Sequence, residues 1–285
     1  MCDKDHFAES VVEYEARGLV TRRQFGVLVA AGVALVLPEA VNAQDVAERD
    51  VDIKTPDGTA DSYFVHPVKG SAAAVLIWPD IFGLRPAMRN MAKRLAQQGY
   101  AVLVPNPFYR AGKPNATGAT PIKEMFAFRK GMSAATDMTD ARAFIAWLDA
   151  QPQVNKNRKI GTQGYCMGGP MTFHTASAVP DRVGAVASFH GGGLVNVKDP
   201  ANSPHLLAAK TKASFLIAIA ENDDKGNPME KDVLKDTFSK AKLSAEVEVY
   251  PAAHGWCPPD TQVYNEKEAE RAWTRLLALY KTALA

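Results

Sequence analysis

A cysteine framed by glycines is the first feature of the sequence that could carry out chemistry. Residues 164–168 read Gly-Tyr-Cys-Met-Gly, the pattern of a sharp turn that joins a strand to a helix and presents its central residue as a nucleophile. Serine is the usual residue at that centre. A cysteine attacks as a thiolate, and an unperturbed thiol has a pKa of roughly 8.5, so it needs a base or a positive field beside it. The pattern therefore predicts acyl transfer by Cys166 with an activating partner.

A carboxylate cluster and a histidine follow Cys166 in the order that such a nucleophile requires. Glu221-Asn222-Asp223-Asp224 comes directly after one predicted strand, and His254 follows the next one. In this kind of site the chain order is nucleophile, acid, histidine. We therefore predict that His254 is the base and that a carboxylate of residues 221–224 orients it.

These side chains must be positioned by a sheet. Residues 50–66 predict a hairpin, and six short apolar runs after it predict strands that alternate with helices. Such alternation predicts an α/β fold, a doubly wound, mostly parallel sheet with helices on both faces. Ligands bind beyond the carboxyl ends of such strands, where Cys166 is expected. The six runs are 73–78, 101–104, 159–161, 183–189, 215–220 and 247–250.

Two helices carry clear apolar stripes. In the first, we expect Asp140, Arg142 and Asp149 to lie mostly off the buried face. In the C-terminal helix, the aromatic residues are expected to face the core rather than a ligand. The two stripes are Met138, Ala141, Ile145 and Leu148, then Trp273, Leu276, Leu277 and Tyr280.

Composition limits the class of protein. The chain has 285 residues, of which 47% are hydrophobic, enough for the core of one α/β domain. Its 33 basic and 31 acidic residues nearly balance, so no nucleic-acid partner is expected. The Cys and His spacing does not suggest a metal site. We expect a small-molecule substrate and a monomer.

The N-terminus is typical of a targeting segment. Arg22 and Arg23 precede an apolar run, 26–37, that is shorter than the roughly 20 residues needed to span a bilayer. Val41-Asn42-Ala43 is a small-residue cleavage signature. We predict a twin-arginine-type leader over 1–43 and the folded domain over 44–285, with transient contact to export machinery and a periplasmic or exported location. The alternatives are an uncleaved anchor or a chance arginine pair. If the signal is not used, the expected location is the cytoplasm.

From about residue 50 onward the sequence resembles the dienelactone hydrolases, members of the α/β-hydrolase superfamily. The segments that carry the resemblance are WPDIFGLRPAMRNMAKRLAQQGYAVLVPNPFYR, GTQGYCMGG, IAENDD and AAHGW. The resemblance implies opening of an enol-lactone ring by a Cys-His-Asp triad through a thioacyl-enzyme, without a cofactor.

The resemblance also implies roles for individual residues. Cys166 would be the nucleophile, His254 the base and Asp223 the acid, with Asp224 a weaker candidate. Backbone N–H groups of Ile81 and Met167 would form the oxyanion hole.

Asp80 stands where the family usually has a glutamate that holds or accepts the thiol proton. Its carboxylate is one methylene shorter, and we expect it to modulate the thiol of Cys166. The alternative is that it caps the helix that follows.

Substrate contacts are expected from Tyr109, Arg110 and Trp256. Arg110 matches one of two arginines with which characterised relatives hold a substrate carboxylate, but Pro258 stands in place of the other. Because a guanidinium pair contributes much of the specificity for a carboxylate, this departure favours a broader carboxylesterase or thioesterase as the alternative function. Arg110 would otherwise be an ordinary surface charge.

Cys257 opens a third function class. If it paired with Cys166, the protein would be a thiol-redox protein of the cell envelope without enzymatic activity. The alternative is a buried loop thiol that never meets Cys166. The remaining histidines are not predicted to act: His190 is expected to be structural, and His6, His66, His174 and His205 to be surface or packing residues.

Overall fold

The structure is a computed structural model that describes residues 37–38, 43–114 and 120–285. The predicted leader, 1–43, lies almost entirely outside the described residues. Within the described part, eight strands form one sheet in the order β1-β2-β4-β3-β5-β6-β7-β8. The strands are β1 Val46–Thr55, β2 Gly58–Pro67, β3 Ala73–Trp78, β4 Tyr100–Pro105, β5 Ile160–Tyr165, β6 Val183–Phe189, β7 Ser214–Ala220 and β8 Ala245–Tyr250.

The sheet is antiparallel at one edge and parallel over the rest. β1 pairs with β2 and β2 pairs with β4 in antiparallel register, whereas every pairing from β4 to β8 is parallel. The predicted hairpin and all six predicted strands are present. Because the strands β5 to β8 are parallel neighbours, their carboxyl ends meet along one stretch of the sheet edge.

Strand β5 is longer than predicted and ends at Tyr165, directly before Cys166. The sequence signal stopped at Gly161 because polar residues follow it. Gln163 is nevertheless buried, since its side chain donates to the Tyr165 hydroxyl at 2.7 Å and accepts from the Tyr280 hydroxyl at 2.9 Å. A buried polar side chain with both ends hydrogen-bonded costs a strand little.

Helices cover both faces of the sheet, as predicted. Two apolar clusters divide the core, one packed beneath α3, α4 and α6 (called cluster A here) and one beneath α1 and α7 (cluster B). Alternate residues of β3 belong to opposite clusters, which is why the run 73–78 is apolar throughout. The helices are α1 Pro86–Ala96, α2 Ile122–Arg129, α3 Ala134–Asp149, α4 Gly168–Ala178, α5 Glu221–Gly226, α6 Glu230–Lys240 and α7 Glu266–Ala283.

Helix α3 departs from its prediction at Asp140 and buries a second acid for which no prediction was made. Asp140, which was expected off the buried face, is 2% exposed, and Asp137 is 6% exposed. Each carboxylate is buried because it has a partner on another element: Arg110 and Tyr109 for Asp140, His174 for Asp137. A paired carboxylate can occupy a helix face that an unpaired one would leave.

No helix within the described ranges is long and apolar enough to cross a membrane.

Candidate active site

Cys166 sits on a strained turn between β5 and α4. Its φ of 50° lies in the left-handed region, which is uncommon for a residue other than glycine. A Cβ on Gly164 would come 2.1 Å from the carbonyl oxygen of Gly168, and one on Gly168 would come 2.3 Å from that of Trp78. The two glycines are therefore required by the closeness of β3, β5 and α4, as the sequence pattern predicted.

His254 and Asp223 form a hydrogen-bonded pair after the carboxyl ends of β8 and β7, on the sheet edge that also carries Cys166. Asp223 lies in α5 directly after β7, and His254 lies in the loop after β8. The His254 Nδ1 and the Asp223 Oδ2 are 2.7 Å apart, and both side chains are about one-tenth exposed. The His254 amide donates to the Asn222 side-chain oxygen at 2.7 Å, which fixes the loop backbone as well. With Nδ1 held by the carboxylate, Nε2 is the nitrogen left for proton transfer.

The neighbouring acid, Asp224, has a different partner. Its Oδ1 accepts from Lys231 Nζ at 2.6 Å on the following helix. Of the four residues 221–224, the carboxylate that contacts His254 is thus the one that the family resemblance implied.

His190 packs beneath the pair. It follows β6, its ring centroid lies 5.1 Å from that of His254, and it is fully buried. Burial, reinforced by the nearby His254, holds the pKa of His190 well below its usual range, so its ring is neutral. Within the described residues neither ring nitrogen has a hydrogen-bond partner. The residue expected to be structural is a neutral support for the ring of His254.

Asp80 is bound by an arginine that sequence reasoning missed. Arg85 Nη1 and Nη2 donate to the two carboxylate oxygens of Asp80 at 2.7 and 2.9 Å, and Nε and Nη2 donate to Asp260 at 2.6 and 2.8 Å. Arg85 is only 1% exposed. The sequence did contain a signal for this pairing: Arg85 stands directly before Pro86, at the N-terminus of α1. A cation is unfavourable at that end of a helix unless carboxylates surround it.

This cluster, Asp80–Arg85–Asp260, ties the loop after β3 to the loop that follows His254. Burial raises the pKa of Asp80, with Arg85 opposing the rise, and Asp80 also accepts the Phe82 amide at 2.9 Å. Helix α1 receives no side-chain cap, so the alternative role of Asp80 as its cap is wrong. The modulation of the Cys166 thiol by Asp80 stays a prediction. Both carboxylate oxygens of Asp80 accept hydrogen bonds from Arg85.

The two predicted oxyanion donors lie on segments that touch. Ile81 and Met167 are each 4% exposed, in the loop after β3 and at the start of α4. The close approach of Gly168 to the Trp78 carbonyl joins these segments directly. Their backbone N–H groups remain predicted donors.

Arg110 and Tyr109 are engaged by carboxylates and a hydroxyl. Both terminal nitrogens of Arg110 donate to Asp140 at 2.7 Å, and Nε and Nη2 donate to Asp57 at 3.0 and 2.6 Å. The Tyr109 hydroxyl donates to Asp140 at 2.7 Å and lies 2.7 Å from Thr55 Oγ1. The alternative that Arg110 is an ordinary surface charge is wrong, because its side chain is 17% exposed and ion-paired. Substrate contact by these two residues stays a prediction.

Trp256 and Cys257 are both buried in cluster B. Trp256 is fully buried, stacks on Tyr250 at 5.3 Å and meets His190 edge-on at 4.9 Å, so it supports the His254 loop from within. Its contact with substrate remains a prediction. Cys257 is a buried thiol, as one of the two expectations had it, and burial raises its pKa well above the usual range. Cys166 belongs to cluster A, and no disulfide joins it to Cys257.

Comparison with known proteins identifies one family that matches most of the chain. A family model described as the dienelactone hydrolase family matches residues 60–284. A relative from Rhodococcus opacus named carboxymethylenebutenolidase is 26% identical over 236 residues, which cover 81% of this chain and 90% of the relative. A second relative, from Synechocystis sp., is 28% identical over 246 residues, which cover 82% of this chain and 99% of the relative. The solved structure of a dienelactone hydrolase-like promiscuous phosphotriesterase from metagenomic libraries has a TM-score of 0.70 at 22% identity, covering 84% of this chain and 99% of its own. The likeness in structure shows an α/β-hydrolase fold.

Proposed function

We propose a reaction on the premise that this chain belongs to the dienelactone hydrolase family and is an ester-hydrolysing enzyme. The proposal is that it opens an enol-lactone, or cleaves an activated ester, through a thioacyl-enzyme on Cys166. One observation carries it: the 2.7 Å pair of His254 and Asp223 follows the carboxyl ends of β8 and β7, on the same edge of the parallel sheet as the strained turn of Cys166 after β5.

In the first half-reaction, His254 takes the proton of Cys166, and the thiolate attacks the substrate carbonyl carbon. A C–S bond forms, and the negative charge on the carbonyl oxygen is held by the N–H groups of Ile81 and Met167. When the tetrahedral intermediate collapses, the ring C–O bond breaks and the leaving enolate takes the proton from His254. The neighbouring Asp223 stabilises the imidazolium that exists between these two proton transfers.

In the second half-reaction, water replaces the leaving group. His254 takes a proton from the water as its oxygen attacks the thioacyl carbon, and the C–S bond then breaks. The thiolate of Cys166 recovers its proton from His254, and the acid product leaves. Atoms and charges balance with water as the only co-reactant, and no cofactor is needed.

A cysteine suits substrates with good leaving groups. An enolate leaves more readily than a simple alkoxide or an amine, so the less basic thiolate can expel it. Cys166 therefore favours reactive lactones and activated esters over peptides.

A broader carboxylesterase or thioesterase is the second candidate. Pro258 stands where the second carboxylate-binding arginine of characterised relatives would be, and Arg110 is held by Asp140 and Asp57. These two observations weaken the case for a small carboxylated lactone as the substrate. The thiol-redox alternative has no such support, since Cys166 and Cys257 lie in different apolar clusters.

The test measures turnover of a dienelactone and of p-nitrophenyl acetate by absorbance, with Cys166→Ala and Cys257→Ala as a matched pair. We expect Cys166→Ala to abolish both activities and Cys257→Ala to keep them. Ester cleavage without dienelactone turnover would select the broader esterase. Activity that survives in Cys166→Ala would overturn the nucleophile.

Export by a twin-arginine route and a monomeric state are separate proposals. The motif at Arg22 and Arg23 supports the first. Replacing both arginines with lysine should retain the protein in the cytoplasmic fraction if the motif is used. Size-exclusion chromatography of the protein tests the second proposal.

A further inference from the structure

A cavity of about 660 Å³ lies beside α4, within the size range of ligand-binding pockets. Three residues of α4 line it at helical spacing, and Met167, which caps the helix start, continues the same face; the three are Pro170, Met171 and His174. Met167 is adjacent to Cys166 in the chain. The cavity therefore extends along α4 away from the predicted nucleophile.

Part of the cavity wall is apolar. Phe126 and Met132 line the cavity together with Met171, and both pack against cluster A, to which Cys166 and Met171 belong. Methionine and phenylalanine side chains suit a hydrocarbon chain because they offer apolar surface without fixed hydrogen-bond demands. This apolar part of the wall fits an aliphatic arm.

The far end carries a buried polar pair. His174 and Asp137 both line the cavity, are 7% and 6% exposed, and hold His174 Nδ1 2.8 Å from Asp137 Oδ2. Because Nδ1 is committed to the carboxylate, Nε2 is the nitrogen through which His174 can bind a ligand. Arg129 and Lys130 also line this cavity. The seven helical steps from Met167 to His174 span about 10 Å, the reach of an acyl chain of about eight carbons.

We propose that this cavity binds the acyl arm of the substrate and that His174 binds an oxygen at the end of that arm. The inference rests on the proposed function, because the ester carbonyl must lie at Cys166. The substrate class is then a lactone or ester whose acyl part is an aliphatic chain ending in a hydroxyl or a carboxylate. His174 is a specificity-determining residue, held in place by Asp137.

The experiment compares p-nitrophenyl acetate, octanoate, ω-hydroxyoctanoate and the half-ester of suberic acid. We expect the wild-type kcat/KM for an oxygen-terminated ester to exceed that for octanoate by about tenfold, mostly through KM, which is typical of one buried hydrogen bond. The hydroxyl and carboxylate arms distinguish the two sources of that oxygen. Equal values for all three long esters would overturn the inference, whereas no turnover of any ester would overturn the proposed function instead.

Variants separate binding from structural support. His174→Ala should remove the preference for the terminal oxygen while octanoate is still cleaved, and His174→Gln should restore part of it. His66→Ala is the matched control, since His66 is 8% exposed and bonded to the Pro67 carbonyl outside the cavity. If His174→Ala does not fold, Met171→Phe is measured: filling the cavity should lower the octanoate-to-acetate ratio of kcat/KM at least fivefold. A preference that survives in His174→Ala, or a ratio unchanged in Met171→Phe, would overturn the inference.

Discussion

Replacing Arg85 with methionine should destabilise the protein strongly and make its stability depend on pH. The guanidinium makes two hydrogen bonds with each carboxylate, and Asp80 is 4% exposed, whereas the Asp260 side chain is 29% exposed. Methionine replaces most of the aliphatic stem, so the loss is mainly electrostatic. Removing one partner of a buried pair costs about 3–5 kcal/mol, because the other charge is left without compensation. Asp260 can turn to water, but Asp80 has no such route.

The pH dependence follows from the proton that Asp80 would take up. In Arg85→Met the pKa of the folded-state Asp80 is raised by burial without an opposing cation, so the folded state binds a proton more tightly than the unfolded state. The contribution of Asp80 to the free energy of unfolding should therefore be largest near pH 4 and fall as the pH rises, by about 1.4 kcal/mol per pH unit, until the folded-state pKa is passed. The deficit relative to wild type should be larger at pH 8 than at pH 5.

Urea unfolding at these two pH values measures both effects. Arg89→Met is the matched control: Arg89 lies in the first turn of α1, close to Arg85 in the chain, but its ion pair with Asp50 is partly open to water, so a change within about 1 kcal/mol is expected. Asp80→Asn combined with Arg85→Met should recover part of the loss, since it removes the buried charge. A deficit below about 1 kcal/mol that is the same at pH 5 and pH 8 would refute the reasoning.

Three further predictions concern His190, Cys257 and Gly168. Burial lowers the pKa of His190 in the folded state, so below about pH 6.5, the ordinary histidine value, the unfolded state binds more protons and the free energy of unfolding should fall by about 1.4 kcal/mol per pH unit. His190→Asn, in which asparagine tolerates the left-handed φ of 42°, should flatten that slope in urea unfolding. An unchanged slope would contradict the prediction. Cys257 should resist iodoacetamide in the native protein at pH 8 and react once the protein is unfolded, as peptide mass spectrometry would show, because burial raises its pKa. Gly168→Ala should lower stability by about 1–3 kcal/mol in thermal unfolding, since its Cβ would meet the Trp78 carbonyl. Gly131→Ala, which has open space around its Cβ, should leave stability unchanged, and equal effects of the two variants would count against the packing argument.

Much of the fold could be predicted because buried strands leave a strong local signal. The runs 73–78 and 183–189 match their strands residue for residue, since both faces of these strands are covered. The end of β5 was missed because Gln163 is polar, and its burial depends on hydroxyls of Tyr165 and Tyr280 that only the fold brings together. Sequence pattern detects apolar periodicity, not the partners that make a polar residue buried.

The same limit applied to the candidate site. The order of Cys166, Asp223 and His254 along the chain was enough to predict the contact between His254 and a carboxylate of residues 221–224. The partner of Asp137 was not predictable, because His174 lies far away in the sequence, and the same holds for Asp260 as the second carboxylate of Arg85. In helix α3 a signal was present: Asp137 is spaced four residues from the apolar Ala141, so it shares the buried face. A carboxylate in phase with an apolar stripe indicates a partner on the facing element.

The Arg85–Asp260 ion pair also has a consequence for biosynthesis. The two residues are 175 positions apart in the chain. At the usual rates of translation, Asp260 is added about 9–35 seconds after Arg85. During that interval the arginine lacks one of its two carboxylates, and the loop of Ile81 is not yet tied to the His254 loop. The link between these two loops is thus completed only after residue 260 is added, and a nascent or truncated chain that ends before that point, which also lacks α7, should not turn over esters.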